Sequence, residues 1–386
     1  MTSDPAGSFR FNYGPRVVSG PGSVLAAVDL APEGPILFVT DATLMALGLP
    51  RPLLDALAAA GRQVTVFDAV EEDPSRTTVE GCVAAGLACN AASVIGFGGG
   101  SPMDVAKVAA YLIGSRDDLD TIWGVGNAKG RGLPLIMIPT TAGTGSEATP
   151  VSVITLSETE KRGVFSPALI ATHAILDADL TLGLPRDGTA ATGIDAMVHA
   201  IEAYTSANAR NPMSQMLALQ ALRLVSANIR IACDDPANRE ARAAMLLGAH
   251  LAGVAFANAP VAAVHALAYP LGSRFHVPHG LSNALMLPHV LRFNMSAAMA
   301  DYAAMGVAVD PSLAGLGTQE QAQGLVAALE SIAADTGLAR TLRQVGIGAE
   351  HLDMLAADAM LQTRLLTNNP VPVAEADARA LYEAAL

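Results

Sequence analysis

Apolar residues follow different periods in the two halves of the chain. In the first half, short runs of branched apolar residues at 35–40, 63–67, 93–96 and 135–138 alternate with alanine- and leucine-rich stretches such as 52–60 and 78–90. Strand–helix alternation of this kind predicts a parallel sheet with helices on both faces. A further extended region, from 152–154 through 174–175, is expected to complete this α/β domain.

After about Leu184 the pattern becomes helical. Alanine, leucine and methionine recur at helical spacing, with polar, glycine or proline breaks near 234–236, 278–280, 310–311 and 368–370. We therefore predict an α/β domain over residues 1–184 and an all-helical domain over residues 185–386. Because no low-complexity linker separates them, we expect the two domains to pack closely around a ligand-binding cleft.

One apolar segment is long enough to span a bilayer. Residues 243–273 contain no Asp, Glu, Lys or Arg. The segment nevertheless contains His250, Asn258, Pro260 and His265, and no basic cluster flanks it. We interpret it as a helix buried at the centre of a helical domain, and we expect no membrane partner.

Composition narrows the possible partners and the compartment. Of the 386 residues, 51% are hydrophobic and 15% are charged, which favours a large buried interior. The net charge of −13 argues against a nucleic-acid partner. Cys82, Cys89 and Cys233 lack metal-ligand spacing and are typical of thiols in a reducing compartment. The N-terminus lacks the layout of a signal peptide, so we expect a cytoplasmic protein.

Four residues of the second half have the spacing of a divalent-metal site. Asp195 and His199 are four residues apart, which on a helix places both side chains on one face. His265 and His279 follow, and we expect helix breakers between them to return the second imidazole to the same point. These breakers are Pro270, Gly272 and Pro278. Mixed imidazole and carboxylate ligands suit Fe(II) or Zn(II). The alternative interpretation of these four residues is a buried polar network without a metal.

A glycine triplet between a strand and a helix predicts phosphate binding. Gly98–Gly100 follows the apolar run ending at Gly96, and backbone N–H groups at such a turn suit a phosphate. The spacing is not the G-x-G-x-x-G fingerprint, and a plain tight turn is the alternative. A second glycine- and hydroxyl-rich loop covers residues 140–146. Asp41 ends an early strand, where its carboxylate could bind an adenosine ribose or simply cap a helix.

Together these segments resemble the iron-containing, group III alcohol dehydrogenases. The resemblance covers nearly the whole chain and is most specific in Gly-Ile-Asp-Ala-x-x-His-Ala-Ile-Glu-Ala-Tyr at 193–204 and in the His-x13-His-Gly pattern at 265–280. The resemblance implies a dehydroquinate synthase-like fold, in which an NAD(P)-binding α/β domain precedes an all-helical metal-binding domain. We expect NAD more than NADP as the cofactor, Fe(II) or alternatively Zn(II) as the metal, and a homodimer.

The resemblance also implies roles for individual residues. The metal ligands would be Asp195, His199, His265 and His279. Among the cofactor-binding residues, those at the pyrophosphate would be Gly99, Gly100, Ser101 and Asp104, and those along the cofactor would be Thr140, Thr141 and Thr144. Lys161 would lie on the cofactor side, Leu180 beside the nicotinamide, and Asp41 at the position that favours NAD. Asp73 would also bind the cofactor; it stands with Pro74 and Ser75 where the family commonly has Asn-Pro-Thr.

The proton relay is left open by the sequence. Tyr269 stands where many relatives have a further histidine, and Pro260 and Ala262 replace usual glycines. Tyr269, His276 or a ribose hydroxyl could carry the proton to solvent.

The favoured hypothesis is a metal-dependent, NAD(P)-linked alcohol dehydrogenase or aldehyde reductase acting on a small, uncharged substrate. The cation would polarise the substrate oxygen while hydride moves between the carbinol carbon and the nicotinamide. A dehydroquinate synthase-like lyase would need basic residues for a phosphate, but the helical half has no lysine and only Arg274 is expected near the ligands. A metal-free reductase of the maleylacetate type is disfavoured by the intact ligand set, and a non-enzymatic membrane or scaffold protein is the remote alternative.

Overall fold

The structure, a computed structural model, describes residues 8–157 and 160–386. These residues form two compact units, one of which is Tyr13–Leu182. The other contains Gly183–Leu386 together with the described residues before Tyr13. Asn12 and Asn258 connect these early residues to the helical unit, because the Asn258 amide accepts from the Asn12 N–H at 2.6 Å and donates to the Asn12 carbonyl at 2.8 Å. These early residues therefore lie with the helical unit.

The α/β unit is built on a parallel sheet. Its strands are β1 (Arg16–Ser19), β2 (Ile36–Val39), β3 (Val64–Phe67), β4 (Ser93–Gly98), β5 (Gly124–Val125), β6 (Leu135–Pro139), β7 (Val151–Ser157), β8 (Glu160–Phe165) and β9 (His173–Leu176). Its helices are α1 (Ala27–Leu30), α2 (Ala42–Leu47), α3 (Arg51–Ala59), α4 (Arg76–Ala88) and α5 (Gly100–Ser115). The main sheet has the order β1-β9-β6-β4-β2-β3 with parallel pairing throughout, which confirms the predicted fold class.

The central strands of the sheet are buried on both faces. Leu37 and Val39 of β2 point into a core that α4 and α5 cover, whereas Ile36 and Phe38 point into a second core beneath α1 and α3. A strand that is buried on both faces needs a continuous apolar run, and this explains why the sequence predicts β2, β4 and β6 so clearly. Strand β7 does not join this sheet, because it pairs antiparallel with β8 in a small separate sheet with β5.

The second unit is helical. Its helices are α6 (Arg186–Thr205), α7 (Pro212–Asp234), α8 (Arg239–Asn258), α9 (Ala263–Phe275), α10 (His279–Val309), α11 (Thr318–Asp335), α12 (Leu352–Met360), α13 (Thr363–Leu366) and α14 (Glu375–Ala384). Helix α6 packs against α7, α8 and α10 and is buried around most of its circumference, as expected of a helix at the centre of a helical domain.

The apolar segment 243–273 forms two helices, so the prediction of one buried helix is wrong. Helix α8 ends at Asn258 and α9 begins at Ala263, with a bend of 107° between them. Pro260 explains the break, because proline disfavours helical backbone at the preceding residue, and Ala259 is extended. By length and apolarity alone, α7 or the bent pair of α8 and α9 would be long enough to cross a membrane. Core helices share these properties, and α7 packs against α6 and α8.

The predicted helix break at Pro270 and Gly272 is also wrong. Both residues lie inside α9. Proline removes one main-chain hydrogen bond, and here the packing of the helix tolerates that loss. The chain turns only at His276, where φ is 54°, and Pro278 then precedes the first residue of α10.

Candidate metal centre

Three ionisable side chains share one face of α6. Asp195, His199 and Glu202 are separated by four and three residues, so their side chains lie in one row along the helix. They are only 2%, 5% and 3% exposed, respectively. Carboxylates are almost never buried to this degree unless they are paired, so the row requires partners.

Two histidines from other helices complete the cluster. The Nε2 atoms of His199, His265 and His279 lie 3.9, 3.8 and 3.5 Å from Asp195 Oδ1. One ligand atom from each residue lies within 4.8 Å of all the others. Ligands bonded to a tetrahedral cation at about 2.1 Å lie about 3.4 Å apart, so this donor set fits a single Fe(II) or Zn(II) ion. His279 begins α10 and its side chain is 45% exposed, so it marks the open side of the cluster.

Glu202 fixes the orientation of His265. Its Oε2 lies 2.6 Å from His265 Nδ1 and also accepts from the Ala262 N–H, so the oxygen is the acceptor and Nδ1 the donor of this contact. Nε2 is then left with its lone pair towards Asp195. Glu202 also accepts from the backbone N–H groups of Ala262 at 2.9 Å and Val264 at 2.7 Å, and thereby caps the start of α9. A single buried carboxylate thus determines both where α9 begins and how the His265 ring is oriented.

Ring stacking holds His199. Its imidazole lies between Phe256 of α8, at a centroid distance of 4.3 Å, and His265, at 4.7 Å. Both pairs are nearly parallel, with interplanar angles of 22° and 21°. This packing fixes the plane of the ring before any ligand arrives, which reduces the entropy that ordering it would cost.

Asn283 enters the cluster from α10, one turn after His279. Its Nδ2 lies 2.7 Å from Asp195 Oδ1 and 3.3 Å from the Nε2 atoms of both His265 and His279. Burial raises the pKa of Asp195, but the positive charge of the three neighbouring histidines in their protonated form and the Asn283 amide outweigh it, so the net pKa lies below its usual value. Asp195 is therefore ionised at neutral pH.

Sequence reasoning gave Glu202 no firm role and did not find Asn283. The available signals were the heptad-like spacing from Asp195 to Glu202 and the four-residue spacing from His279 to Asn283.

The two candidate proton carriers lie in different surroundings. The Tyr269 ring lies 5.9 Å from the His279 ring and 6.5 Å from the His265 ring. His276 is an exposed residue that ends α9, and among the described residues it makes no ring contact with the cluster. Arg274, which was expected near the ligands, pairs with Asp358 at 2.7 Å. Asp358 belongs to α12, so this partner depends on tertiary packing.

The predicted phosphate turn adopts a conformation that requires glycine. Gly98 has a φ of 149°, and a Cβ there would lie 2.7 Å from Pro102 Cγ. Gly99 precedes α5 and has no side-chain cap, so within the described chain the first N–H groups of α5 face no capping side chain. Gly100 and Ser101 form its first turn. These features suit a phosphate at the helix N-terminus.

The threonine-rich loop lies against the glycine turn. A Cβ on Gly99 would lie 3.6 Å from Thr141 Oγ1, and one on Gly100 would lie 3.1 Å from Thr144 Cγ2. The backbone N–H of Thr140 donates to the Gly98 carbonyl. The structure thus brings together the glycines and threonines that the resemblance assigned to the cofactor.

Asp104 and Lys107 support this pair of loops. The Asp104 carboxylate accepts from Ser146 Oγ at 2.7 Å and from the Val153 N–H at 2.8 Å. Lys107 is buried, and its Nζ donates to Ser146 Oγ at 2.7 Å and to the Val151 carbonyl at 2.6 Å. Burial lowers the pKa of Lys107, although Asp104 and Glu147 oppose this. Because a carboxylate would repel pyrophosphate, these bonds favour a supporting role for Asp104.

The remaining predicted cofactor residues lie in the same unit. Asp41 caps α2, since its Oδ1 accepts from the Leu44 N–H at 2.8 Å. Lys161 of β8 pairs with Asp73 at 2.6 Å, and both side chains are solvent-exposed. Leu180 packs beneath the sheet in the second core.

Comparison with known proteins identifies the class. Residues 14–178 match the model described as iron-containing alcohol dehydrogenase, and residues 189–386 match the model of the C-terminal part of the Fe-containing alcohol dehydrogenase family. The chain therefore belongs to the iron-containing alcohol dehydrogenase family, which confirms the resemblance, the fold class and the alcohol dehydrogenase or aldehyde reductase type of activity.

Particular relatives cover almost the whole chain. It is 44% identical to long-chain-alcohol dehydrogenase 1 of Geobacillus thermodenitrificans, over 91% of this chain and 89% of that protein. It is 35% identical to sulfoacetaldehyde reductase of Bilophila wadsworthia, over 96% and 97% of the two chains.

Solved structures show the same architecture. A 1,3-propanediol oxidoreductase aligns with a TM-score of 0.93 at 33% identity, over 98% of this chain and 100% of that one. Sulfoacetaldehyde reductase of Bifidobacterium kashiwanohense, solved with NAD+, aligns with a TM-score of 0.87 at 27% identity, over 98% and 99% of the two chains.

Proposed function

We propose that this protein is a metal-dependent, NAD-linked dehydrogenase or reductase that interconverts a small alcohol and its aldehyde. The observation that carries the proposal is the convergence of Asp195 Oδ1 with the Nε2 atoms of three histidines, in a chain of this family. A bound Fe(II) or Zn(II) ion would polarise the substrate oxygen, and the nicotinamide would exchange the hydride.

The chain's own residues would orient and protonate the substrate. Asp195 is ionised, and Glu202 keeps the His265 Nε2 lone pair directed into the cluster. Tyr269 is the candidate that borders the cluster, beside the exposed His279, so we assign the first proton transfer to its hydroxyl rather than to His276. The scarcity of lysine in the helical unit favours an uncharged substrate.

NAD rather than NADP is proposed as the cofactor. Asp41 lies at the carboxyl end of β2, where a carboxylate would accept from a ribose hydroxyl and repel a 2′-phosphate. The NAD+ complex of the Bifidobacterium reductase supports the same choice.

We also propose that the protein is a cytoplasmic homodimer. Within the described residues, β1 pairs with β9 alone and ends the sheet, so its second edge is available for a partner. The cysteines carry free thiols, as expected in a reducing compartment. Light scattering on the purified protein tests the dimer, and a monomeric mass would contradict it.

Substitution of His265 by Ala tests the function. The purified wild-type protein should contain about one divalent metal per chain and reduce NAD+ with simple primary alcohols, whereas His265→Ala should lose both the metal and the turnover. Metal analysis and NADH absorbance measure the two effects.

The matched control is His250→Ala. His250 is equally buried, in neighbouring α8, but it lies outside the cluster. This variant should retain its metal. Full activity of a metal-free His265→Ala protein would refute the proposed role of the cation.

A further inference from the structure

Three of the candidate ligand atoms, Asp195 Oδ1 and the Nε2 atoms of His265 and His279, face the side-chain nitrogen of Asn283. Asp195 Oδ1 lies within 4 Å of the three imidazole Nε2 atoms, and His265 turns its Nδ1 to Glu202, so its Nε2 faces the cluster as an acceptor. Buried lone pairs that face one another are unfavourable unless a donor or a cation lies among them. Asn283 Nδ2 is such a donor, at 2.7 Å from Asp195 Oδ1 and 3.3 Å from the Nε2 atoms of His265 and His279.

The other end of the Asn283 amide shows what sets its orientation. Asn283 is completely buried, and its Oδ1 accepts no hydrogen bond from any part of the chain that the structure describes. Rotating the amide by 180° would bring that oxygen towards the Asp195 carboxylate, which would repel it. The orientation is therefore dictated by the acceptors of the cluster, at the expense of an unsatisfied oxygen.

We propose that Asn283 is a positioning residue that keeps the ligand atoms together when no cation does so. This inference rests on the proposed metal-dependent function. A cation would take the Nε2 lone pairs of His265 and His279, so Asn283 could keep only its bond to Asp195, whose oxygen has a further lone pair. Asn283 therefore stabilises the metal-free protein more than the metal-loaded protein. By linkage, its removal should tighten metal binding while it weakens the metal-free fold.

The test compares Asn283→Asp and Asn283→Ala with wild type, each stripped with a chelator and each saturated with Zn²⁺. Aspartate keeps the volume of asparagine but replaces the donor with an acceptor, and alanine removes the amide. Relative to wild type, the melting temperature of Asn283→Asp should fall about 2 °C more in the stripped sample than in the Zn²⁺-saturated sample, because the bond to Asp195 is lost in both. Asn283→Ala should show the same excess loss in the stripped sample on top of a packing loss common to both samples. Chelator competition should show Zn²⁺ bound about tenfold more tightly by both variants.

Asn294→Asp is the matched control. Asn294 lies on the same helix and is also buried, and its amide exchanges hydrogen bonds of 2.9 and 2.8 Å with Asn369, outside the cluster. This variant should lose the same stability with and without Zn²⁺.

Two results would overturn the inference while leaving the proposed function intact. One is an equal melting shift in stripped and loaded Asn283 variants, which would indicate packing alone. The other is weaker Zn²⁺ binding by the variants, which would make Asn283 a support of the loaded site. If wild-type protein bound no Zn²⁺ or Fe²⁺ at all, the metal-dependent function itself would fail, and this inference with it.

Discussion

At the scale of single residues, Glu202 orients the metal ligand His265 without being a candidate ligand itself. Its two oxygens accept hydrogen bonds from the backbone N–H groups of Ala262 and Val264 and from His265 Nδ1. Glu202→Gln leaves one acceptor oxygen and brings an NH2 group towards these donors. We therefore expect metal affinity to fall about 10- to 100-fold, as measured by chelator competition.

The control for the loss of charge in that experiment is Glu330→Gln. Glu330 forms an exposed pair with Arg292 at 2.7 Å. Exposed pairs contribute little, so metal affinity should not change. An equal loss in both variants would show that the effect of Glu202 is one of net charge and does not depend on its contact with His265.

A substitution at Asp41 can distinguish its proposed role in cofactor choice from its role as a helix cap. Asparagine caps helices about as well as aspartate, so Asp41→Asn should keep the bond to the Leu44 N–H and leave the stability unchanged. It removes the charge that would repel a 2′-phosphate, so we expect kcat/KM with NADP+ to rise about tenfold relative to NAD+. Steady-state kinetics with both cofactors measure this ratio, and an unchanged ratio would place the NAD preference elsewhere.

At the scale of elements, the metal centre depends on a close approach of two helices. A Cβ on Gly280, in the first turn of α10, would lie 2.3 Å from the Ala191 carbonyl of α6. Gly280→Ala should therefore push the start of α10, and His279 with it, away from Asp195. We expect a loss of about 2 kcal/mol in the free energy of unfolding, measured with denaturant, together with weaker metal binding.

Gly272→Ala is the matched control for that substitution. Gly272 is also a helical glycine, but a Cβ there would lie 3.5 Å from its nearest neighbour, the Val277 carbonyl, which is ordinary contact. Alanine is also the better helix former, so stability should hold or rise slightly. A Gly280→Ala protein as stable as this control would show that the two helices can separate at low cost.

Local patterns explain which elements and residues could be predicted from the sequence. The spacing of Asp195 and His199 is a property of one helix, and β4 and β6 are continuous apolar runs. Strand β1 escaped prediction because its four residues are mostly exposed at a sheet edge and have no apolar run. The position of Asn283 among the ligands depends on how α10 packs on α6, which no local pattern encodes.

At the scale of the whole molecule, the candidate metal site and the candidate cofactor site belong to different units. Every candidate metal ligand lies in Gly183–Leu386, and every predicted cofactor residue lies in Tyr13–Leu182. A ligand stabilises the part of a protein whose opening would release it. The cation and the dinucleotide should therefore protect different parts of the chain.

Hydrogen exchange can measure this division. Removal of the metal should raise exchange in α6, α9 and the start of α10, where the ligands lie, while β2, β4 and β6 keep their protection. Addition of NAD+ should instead protect the Gly98–Gly100 turn and the first residues of α5. At a ligand concentration about 100 times Kd, each effect amounts to about 2.7 kcal/mol, or about 100-fold in the exchange rate of amides exposed only when the site opens. In His265→Ala the chelator should change nothing, because that site no longer holds a cation. If chelation loosened the central strands as strongly as α6, the cation would have to stabilise the chain as one cooperative body, and the assignment of its effect to the helical unit would fail.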